Sequence, residues 1–125
     1  MTIRLLDTNS CIYAFTGAYP SLTARMAEQA AGSLFISAIT YAELAYGTFR
    51  GKPPSPELLD AFISEVAVLP FDDPAAKAYA QIPFRRGSFD RLIAAQALAL
   101  GAPLVSRNAR DFADIDGLVV EDWTQ

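Results

Sequence analysis

The sequence predicts an α/β fold with a mainly parallel central sheet. Short apolar segments of strand length alternate along the chain with longer segments of helical spacing. These strand segments are nearly apolar throughout, which is typical of strands that helices cover on both faces. The chain has 125 residues and shows no internal repeat, linker or low-complexity tract. We therefore expect a single domain spanning residues 1–125.

The individual elements follow from apolar spacing and from residues that start or stop a helix. Strands are expected at residues 3–6, 34–37, 68–71, 103–106 and 118–121. Helices are expected at residues 11–15, 20–31, 39–50, 56–66, 74–82 and 89–100, with a short helical turn at 108–112. Pro56 and Pro74 suit a first helical position, whereas Gly32 and Gly101 are typical of helix ends. Residues 51–54 and 83–87 are predicted breaks, and Ser88 is a predicted cap.

Composition excludes several classes of protein. The net charge of −4 and the pI near 4.6 argue against a protein that coats nucleic acid without sequence preference. A single cysteine excludes an internal disulfide and fits a reducing compartment. The longest uncharged stretches fall short of the ~20 apolar residues of a membrane helix, and no signal peptide is visible. We therefore expect a soluble cytoplasmic protein without a membrane partner.

Four acidic residues occupy positions where a neutral residue would be usual: Asp7, Glu43, Asp90 and Asp111. Glu43 is the only charge between residues 29 and 49. A buried carboxylate is usually protonated, paired with a cation or bound to a metal. The chain has no histidine, so carboxylate oxygens are its main metal ligands, and they suit magnesium or manganese. Asp7 ends the first predicted strand, and ligand sites form beyond the carboxyl ends of parallel strands.

Each acid also has an ordinary structural explanation. Asp7 could cap a helix that begins near Asn9. Asp90 lies in the first turn of a helix, where the dipole favours an acid by ~0.3–1 kcal/mol. Asp111 could belong to a solvated edge, and Glu43 could meet an arginine across an interface. The case for a site rests on four segments that each carry an acid towards one rim.

Residues that are missing narrow the chemistry further. Without histidine there is no Ser-His-Asp or Cys-His pair, and Cys11 lies in an apolar segment that indicates core. A phosphate-binding glycine loop is also absent. A magnesium-binding signalling receiver would need a lysine at a strand end, but Lys52 lies in a loop and Lys77 in a helix. A phosphohydrolase of the Asp-x-Asp type would need an acid in place of Asn9.

Motifs along nearly the whole chain resemble the VapC toxins, which are PIN-domain ribonucleases of type II toxin–antitoxin pairs. The matching pieces follow family order: LLDTN at 5–9, TYAEL at 40–44, FDRLIAA at 89–95, LVSRN at 104–108 and RDF at 110–112. Each piece is weak alone, but the ordered set is specific. Residues 82–88 form a shorter connection before the third acid, Asp90, than is usual in the family. This departure affects the expected shape of the substrate groove and not the acid itself.

The resemblance implies a PIN-like three-layer α/β/α sandwich and a magnesium-dependent endoribonuclease, with manganese as a possible substitute. By position, Asp7 and Asp90 would be core metal ligands, and Glu43 and Asp111 would complete the catalytic, metal-binding set. Further residues would support these ligands: Thr8, Asn9, Ser37 and Asn108. It also implies a VapB-type antitoxin partner and a homodimer. The alternative within the family is a catalytically silent PIN scaffold.

Basic and aromatic residues add candidates for RNA contact. Five of the ten basic residues fall between residues 85 and 110: Arg85, Arg86, Arg91, Arg107 and Arg110. Arg91, Arg107 and Arg110 are the candidates for binding RNA phosphates. The alternative is that some of the five are solvated or pair with Asp114 and Asp116. Four aromatic residues are expected in the core or an interface rather than stacking on bases: Tyr13, Phe15, Tyr46 and Phe49. The RNA target stays open, since recognition depends on the shape of the groove.

Overall fold

A five-stranded parallel sheet forms the centre of the computed structural model, which describes residues 2–86 and 88–125. The strands are β1 (Arg4–Leu6), β2 (Leu34–Ser37), β3 (Ala67–Leu69), β4 (Leu104–Val105) and β5 (Val120–Glu121). Their order across the sheet is β3-β2-β1-β4-β5, and every neighbouring pair is parallel. The first strand in sequence is therefore the central strand in space, and the predicted parallel sheet is confirmed.

Helices cover both faces of this sheet, which gives the three layers that the resemblance implied. The helices are α1 (Thr8–Thr16), α2 (Pro20–Glu28), α3 (Ala38–Phe49), α4 (Pro56–Glu65), α5 (Asp73–Gln81) and α6 (Asp90–Leu100). A 3₁₀ turn, Ala109–Phe112, follows β4. No helix in the described ranges combines the length and apolar character needed to cross a bilayer. Gly87, the last residue of the predicted break at 83–87, lies outside the described residues.

Several boundaries differ from the prediction, and two of the differences have identifiable reasons. Helix α1 begins at Thr8 rather than Cys11, because the Asp7 carboxylate accepts the Ser10 N–H at 2.8 Å and starts the helix at once. Strand β3 ends at Leu69, because Pro70 has no N–H to continue the ladder. Helix α2 ends at Glu28, three residues earlier than expected, and the next residue, Gln29, has an extended backbone.

The two apolar clusters lie on opposite faces of the sheet. Leu5 and Leu6 are adjacent and both 0% exposed, yet Leu6 packs among α1 to α4 and Leu5 packs against α6. This separation follows from the alternation of side chains along a strand. Burial on both faces fixes the register of β1, and the carboxyl end of β1 is where Asp7 begins the site.

Candidate active site

Asp7 occupies the carboxyl end of the central strand. Its N–H donates to the Val105 carbonyl at 3.1 Å, and its side chain is buried. Burial raises the pKa of the Asp7 carboxyl above the ordinary value of 3.8, while hydrogen bonds from Ser10 and Ser106 oppose that rise. Asp7 therefore does cap a helix, as its ordinary explanation held, but it is also a buried acid whose charge is disfavoured. Ser106 was not identified from the sequence.

Glu43 lies on the face of α3 that is turned towards α1. Thr8 Oγ1 donates to Glu43 Oε1 at 2.7 Å, and it lies 3.1 Å from Thr40 Oγ1. Thr8 is only 7% exposed, and Glu43 is half-buried. Helices α1 and α3 thus hold this carboxylate through a buried hydroxyl. No arginine or lysine of the described ranges forms an ion pair with it.

Asp90 joins the first two acids from the start of α6. Its N–H donates to Ser88 Oγ at 3.0 Å, but the N-cap of α6 is Phe89 rather than the predicted Ser88. Burial raises the pKa of the Asp90 carboxyl above 3.8, and the negative charges of Asp7, Glu43 and Asp111 raise it further. A side-chain hydrogen bond between Ser88 and the Asp90 carboxyl lowers this pKa. Asp7, Glu43 and Asp111 therefore lie close enough to Asp90 to act on it electrostatically.

A cleft of about 390 Å³ opens beside these acids. Glu43 and Asp90 line it, together with Thr8, Asn9 and Lys52. Lys52 is the only basic side chain in this lining among the described residues, and sequence reasoning did not select it. Two larger cavities, of about 690 and 680 Å³, contain none of the four acids. We identify the site by its chemistry rather than by its volume.

The remaining candidates take different positions around this cleft. Asp111 is exposed on the 3₁₀ turn, where its ordinary explanation as a solvated acid also fits. The Asn108 N–H donates to Ser106 Oγ at 3.1 Å, next to Asp7. Ser37 is buried and caps α3 by accepting the Ile39 N–H at 3.0 Å, so it supports the helix that carries Glu43.

The expectation for Arg91 as an RNA contact needs correction. Its side chain is 3% exposed, and its two terminal nitrogens bind the two Asp114 carboxylate oxygens at 2.9 and 3.1 Å. The same nitrogens donate to the carbonyls of Asp111 at 3.0 Å and Pro83 at 2.7 Å. This contact holds the pKa of Asp114 below its usual range. Because Arg91 is buried and both terminal nitrogens are engaged, its guanidinium offers no surface to RNA.

The other basic candidates stay on the surface. Arg107 is exposed, and its guanidinium lies 5.3 Å from the centre of the Tyr19 ring. Arg110 is exposed on the 3₁₀ turn. Arg85 forms an ion pair with Asp114 at 3.6 Å, as the alternative for this group of arginines anticipated. Arg107 and Arg110 are the arginine candidates with accessible side chains near Asp111.

The aromatic candidates divide into two pairs. Tyr13 and Tyr19 pack edge to face with ring centres 4.8 Å apart, and Phe15 packs on Phe62 in the same way at 4.9 Å. Tyr46 and Phe49 of α3 are instead 62% and 88% exposed. Tyr13 and Phe15 therefore pack against the core, whereas Tyr46 and Phe49 of α3 remain largely exposed.

The donor set of the cleft suits a hard divalent cation. The four acids are oxygen donors only, and none forms an ion pair among residues 2–86 and 88–125. The negative charges of the other three acids raise the pKa of Asp90. Within that same part of the chain, no three Asp, Glu or Cys side chains are arranged to clasp one ion. The acids thus share an electrostatic environment without forming a closed cage, and the chemistry of the donors fits magnesium or manganese.

Comparison with known proteins places these features in context. A family model described as "PIN domain" matches residues 4–118. The tRNA(fMet)-specific endonuclease VapC of Shigella flexneri is 33% identical over 129 residues, covering 96% of this chain and 97% of the relative. Ribonuclease VapC2 of Rickettsia felis is 32% identical over 133 residues, with 97% and 98% covered. The structure of DNA-bound VapBC from Salmonella typhimurium superposes with a TM-score of 0.83 at 33% identity, covering 98% and 99%.

Proposed function

This chain belongs to the VapC ribonucleases of the PIN-domain family, and we propose that it is the endoribonuclease toxin of a toxin–antitoxin pair. In this proposal it hydrolyses RNA phosphodiesters with magnesium, or manganese in its place, held at the acidic cleft. The observation that carries the proposal is the electrostatic effect of Asp7, Glu43 and Asp111 on Asp90. Four separate segments bring carboxylates together, and no described cation of the chain neutralises them.

Each acid has a part in this scheme. Asp7 and Asp90 would be the core ligands, and Glu43 and Asp111 would complete the set. A bound divalent cation would supply charge that lowers the pKa of a water molecule and offsets charge on the transition state. One carboxylate, either Glu43 or Asp111, is proposed to accept the proton of the attacking water. The Thr8 hydroxyl fixes the orientation of Glu43 for that role.

Two partners follow from the same proposal. The similar structure from Salmonella typhimurium is a VapBC complex, and we propose that a VapB-type antitoxin binds this chain as well. The exposed Tyr46 and Phe49 support a homodimer through α3. Transfer RNA is the first substrate to test, because the Shigella flexneri relative bears the name of a tRNA(fMet)-specific endonuclease. A catalytically silent scaffold is disfavoured, because it would gain nothing from placing Asp7, Glu43 and Asp111 where their charges raise the pKa of Asp90.

The decisive experiment is induction of the chain in cells that lack the antitoxin, beside Asp7→Asn. We expect growth arrest with the first and normal growth with the second. Asp60→Asn is the matched control, because Asp60 is exposed on α4 and does not line the cleft. The purified protein should cleave RNA only with added magnesium or manganese. Cleavage that persists with a chelator, or equal toxicity of wild type and Asp7→Asn, would contradict the proposal.

A further inference from the structure

We propose that Lys52 binds a phosphate of the RNA substrate at the acidic cleft, next to the bond that is cleaved. This inference rests on the proposed function and deepens it, because it names the residue that meets the substrate's charge. The sequence pattern had directed attention to arginines between residues 85 and 110. The structure buries one of them and gives the cleft a lysine from a different part of the chain.

The turn after α3 places Lys52 beside the helical face that carries Glu43. Helix α3 ends at Phe49, and Gly51 adopts a left-handed conformation with φ +82, which glycine tolerates. The Lys52 N–H then donates to the Gly47 carbonyl at 2.9 Å. Gly47 lies one turn beyond Glu43 on the same face. A Cβ built on Gly47 would lie 3.7 Å from the Lys52 Cβ, so the lysine starts close to the acid.

This turn is anchored to the helix that precedes it. The Thr48 hydroxyl donates to the Pro54 carbonyl at 2.7 Å, and the Gly51 N–H donates to the Thr48 carbonyl at 3.0 Å. Pro54 is buried, while Lys52 and Pro53 are exposed. An anchored turn loses little backbone freedom when a ligand arrives, so only the lysine side chain has to become ordered.

The charges of the cleft require a cation of this kind. RNA carries a negative charge on every phosphate, and the cleft walls carry Glu43 and Asp90. No ion pair found among the described residues includes Lys52, so its ammonium group is available to a ligand. The neighbouring Arg50 is engaged elsewhere, since its guanidinium lies 3.4 Å from the centre of the Tyr46 ring and donates to the Tyr46 carbonyl at 3.2 Å.

The test compares full-length Lys52→Ala, Lys52→Arg and Lys77→Ala with wild type in cleaving a fluorescent RNA at several salt concentrations. Lys77 is the matched control, because it is exposed on α5 and lines a different cavity. We expect Lys52→Ala to lose roughly tenfold in kcat/KM, mainly through KM, and its salt dependence to become shallower by about 0.7 in log–log slope. Lys52→Arg should keep most activity, and Lys77→Ala should match wild type.

Several outcomes would overturn the inference. One is a Lys52→Ala enzyme that equals Lys77→Ala in kcat/KM and in salt slope. Another is normal RNA cleavage by Lys52→Ala with weakened inhibition by the antitoxin, which would make Lys52 a contact for protein instead. RNA binding measured by fluorescence anisotropy in the Asp7→Asn background repeats the comparison without turnover. An inactive wild type would count against the proposed function, whereas an active wild type with an unaffected Lys52→Ala would count against the inference alone.

Discussion

Replacing Thr8 by valine would remove the one hydroxyl that ties α1 to the Glu43 carboxylate while keeping the shape of the side chain. The bond is short, at 2.7 Å, and its acceptor is charged, so it belongs to the class that contributes about 1.5–3 kcal/mol. Thr8 is buried, but Glu43 is half-buried, so water can partly replace the lost donor. We therefore expect the free energy of unfolding to fall by about 1–2 kcal/mol, around the lower end of that range.

Urea unfolding followed by circular dichroism measures this loss. With a slope of about 2 kcal/mol per molar urea, the midpoint should fall by about 0.5–1 M. Thr8→Ser keeps the hydroxyl and is the matched control, with a smaller change from the lost methyl group. A double-mutant cycle of Thr8→Val with Glu43→Gln should give a coupling of about 1 kcal/mol. Additive effects, or identical midpoints for Thr8→Val and Thr8→Ser, would refute the reasoning.

Two further predictions concern buried charge. Burial raises the pKa of Asp7, so the folded state favours the protonated acid: this stabilisation is complete below pH 3.8 and is lost as the pH rises through the folded pKa. Near neutral pH and without divalent metal, Asp7→Asn should therefore unfold at a higher temperature than wild type. The difference in melting temperature should shrink as the pH is lowered. A difference that stays constant with pH would contradict this prediction. Arg91→Lys should lower both the melting temperature and the nuclease activity, because lysine cannot make the bidentate contact of the guanidinium with Asp114. An unchanged melting temperature would show that this contact is dispensable.

Much of the fold could be predicted because local signals and tertiary packing agree. Pro56, Gly101 and the apolar strand segments mark their elements directly, and each predicted strand and helix is present. The order of strands across the sheet could not be read in the same way, since strand pairing depends on which faces pack together in space. The ends of β3 and α1 depend on a missing N–H at Pro70 and a side-chain cap by Asp7, which shift boundaries by a few residues.

The acids of the candidate site could be predicted from the sequence, whereas its basic residues were harder to predict. Asp7, Glu43 and Asp90 attract attention because a charge in an apolar segment is costly wherever the chain folds. Arginine and lysine give no such signal, since both are common on surfaces and both can extend away from their backbone. Arg91 proved to be buried beside Asp114, and Lys52 reached the cleft through a turn whose geometry is not visible in the sequence.

The central position of β1 makes the site a late product of protein synthesis. Asp7 leaves the ribosome before Val105, yet its N–H donates to the Val105 carbonyl, and β1 lies between β2 and β4. A nascent chain that has not reached Leu104 lacks one flank of its central strand, and a chain that has not reached Asp90 lacks the third acid. A nascent chain that has not reached Asp111 therefore cannot assemble the four carboxylates.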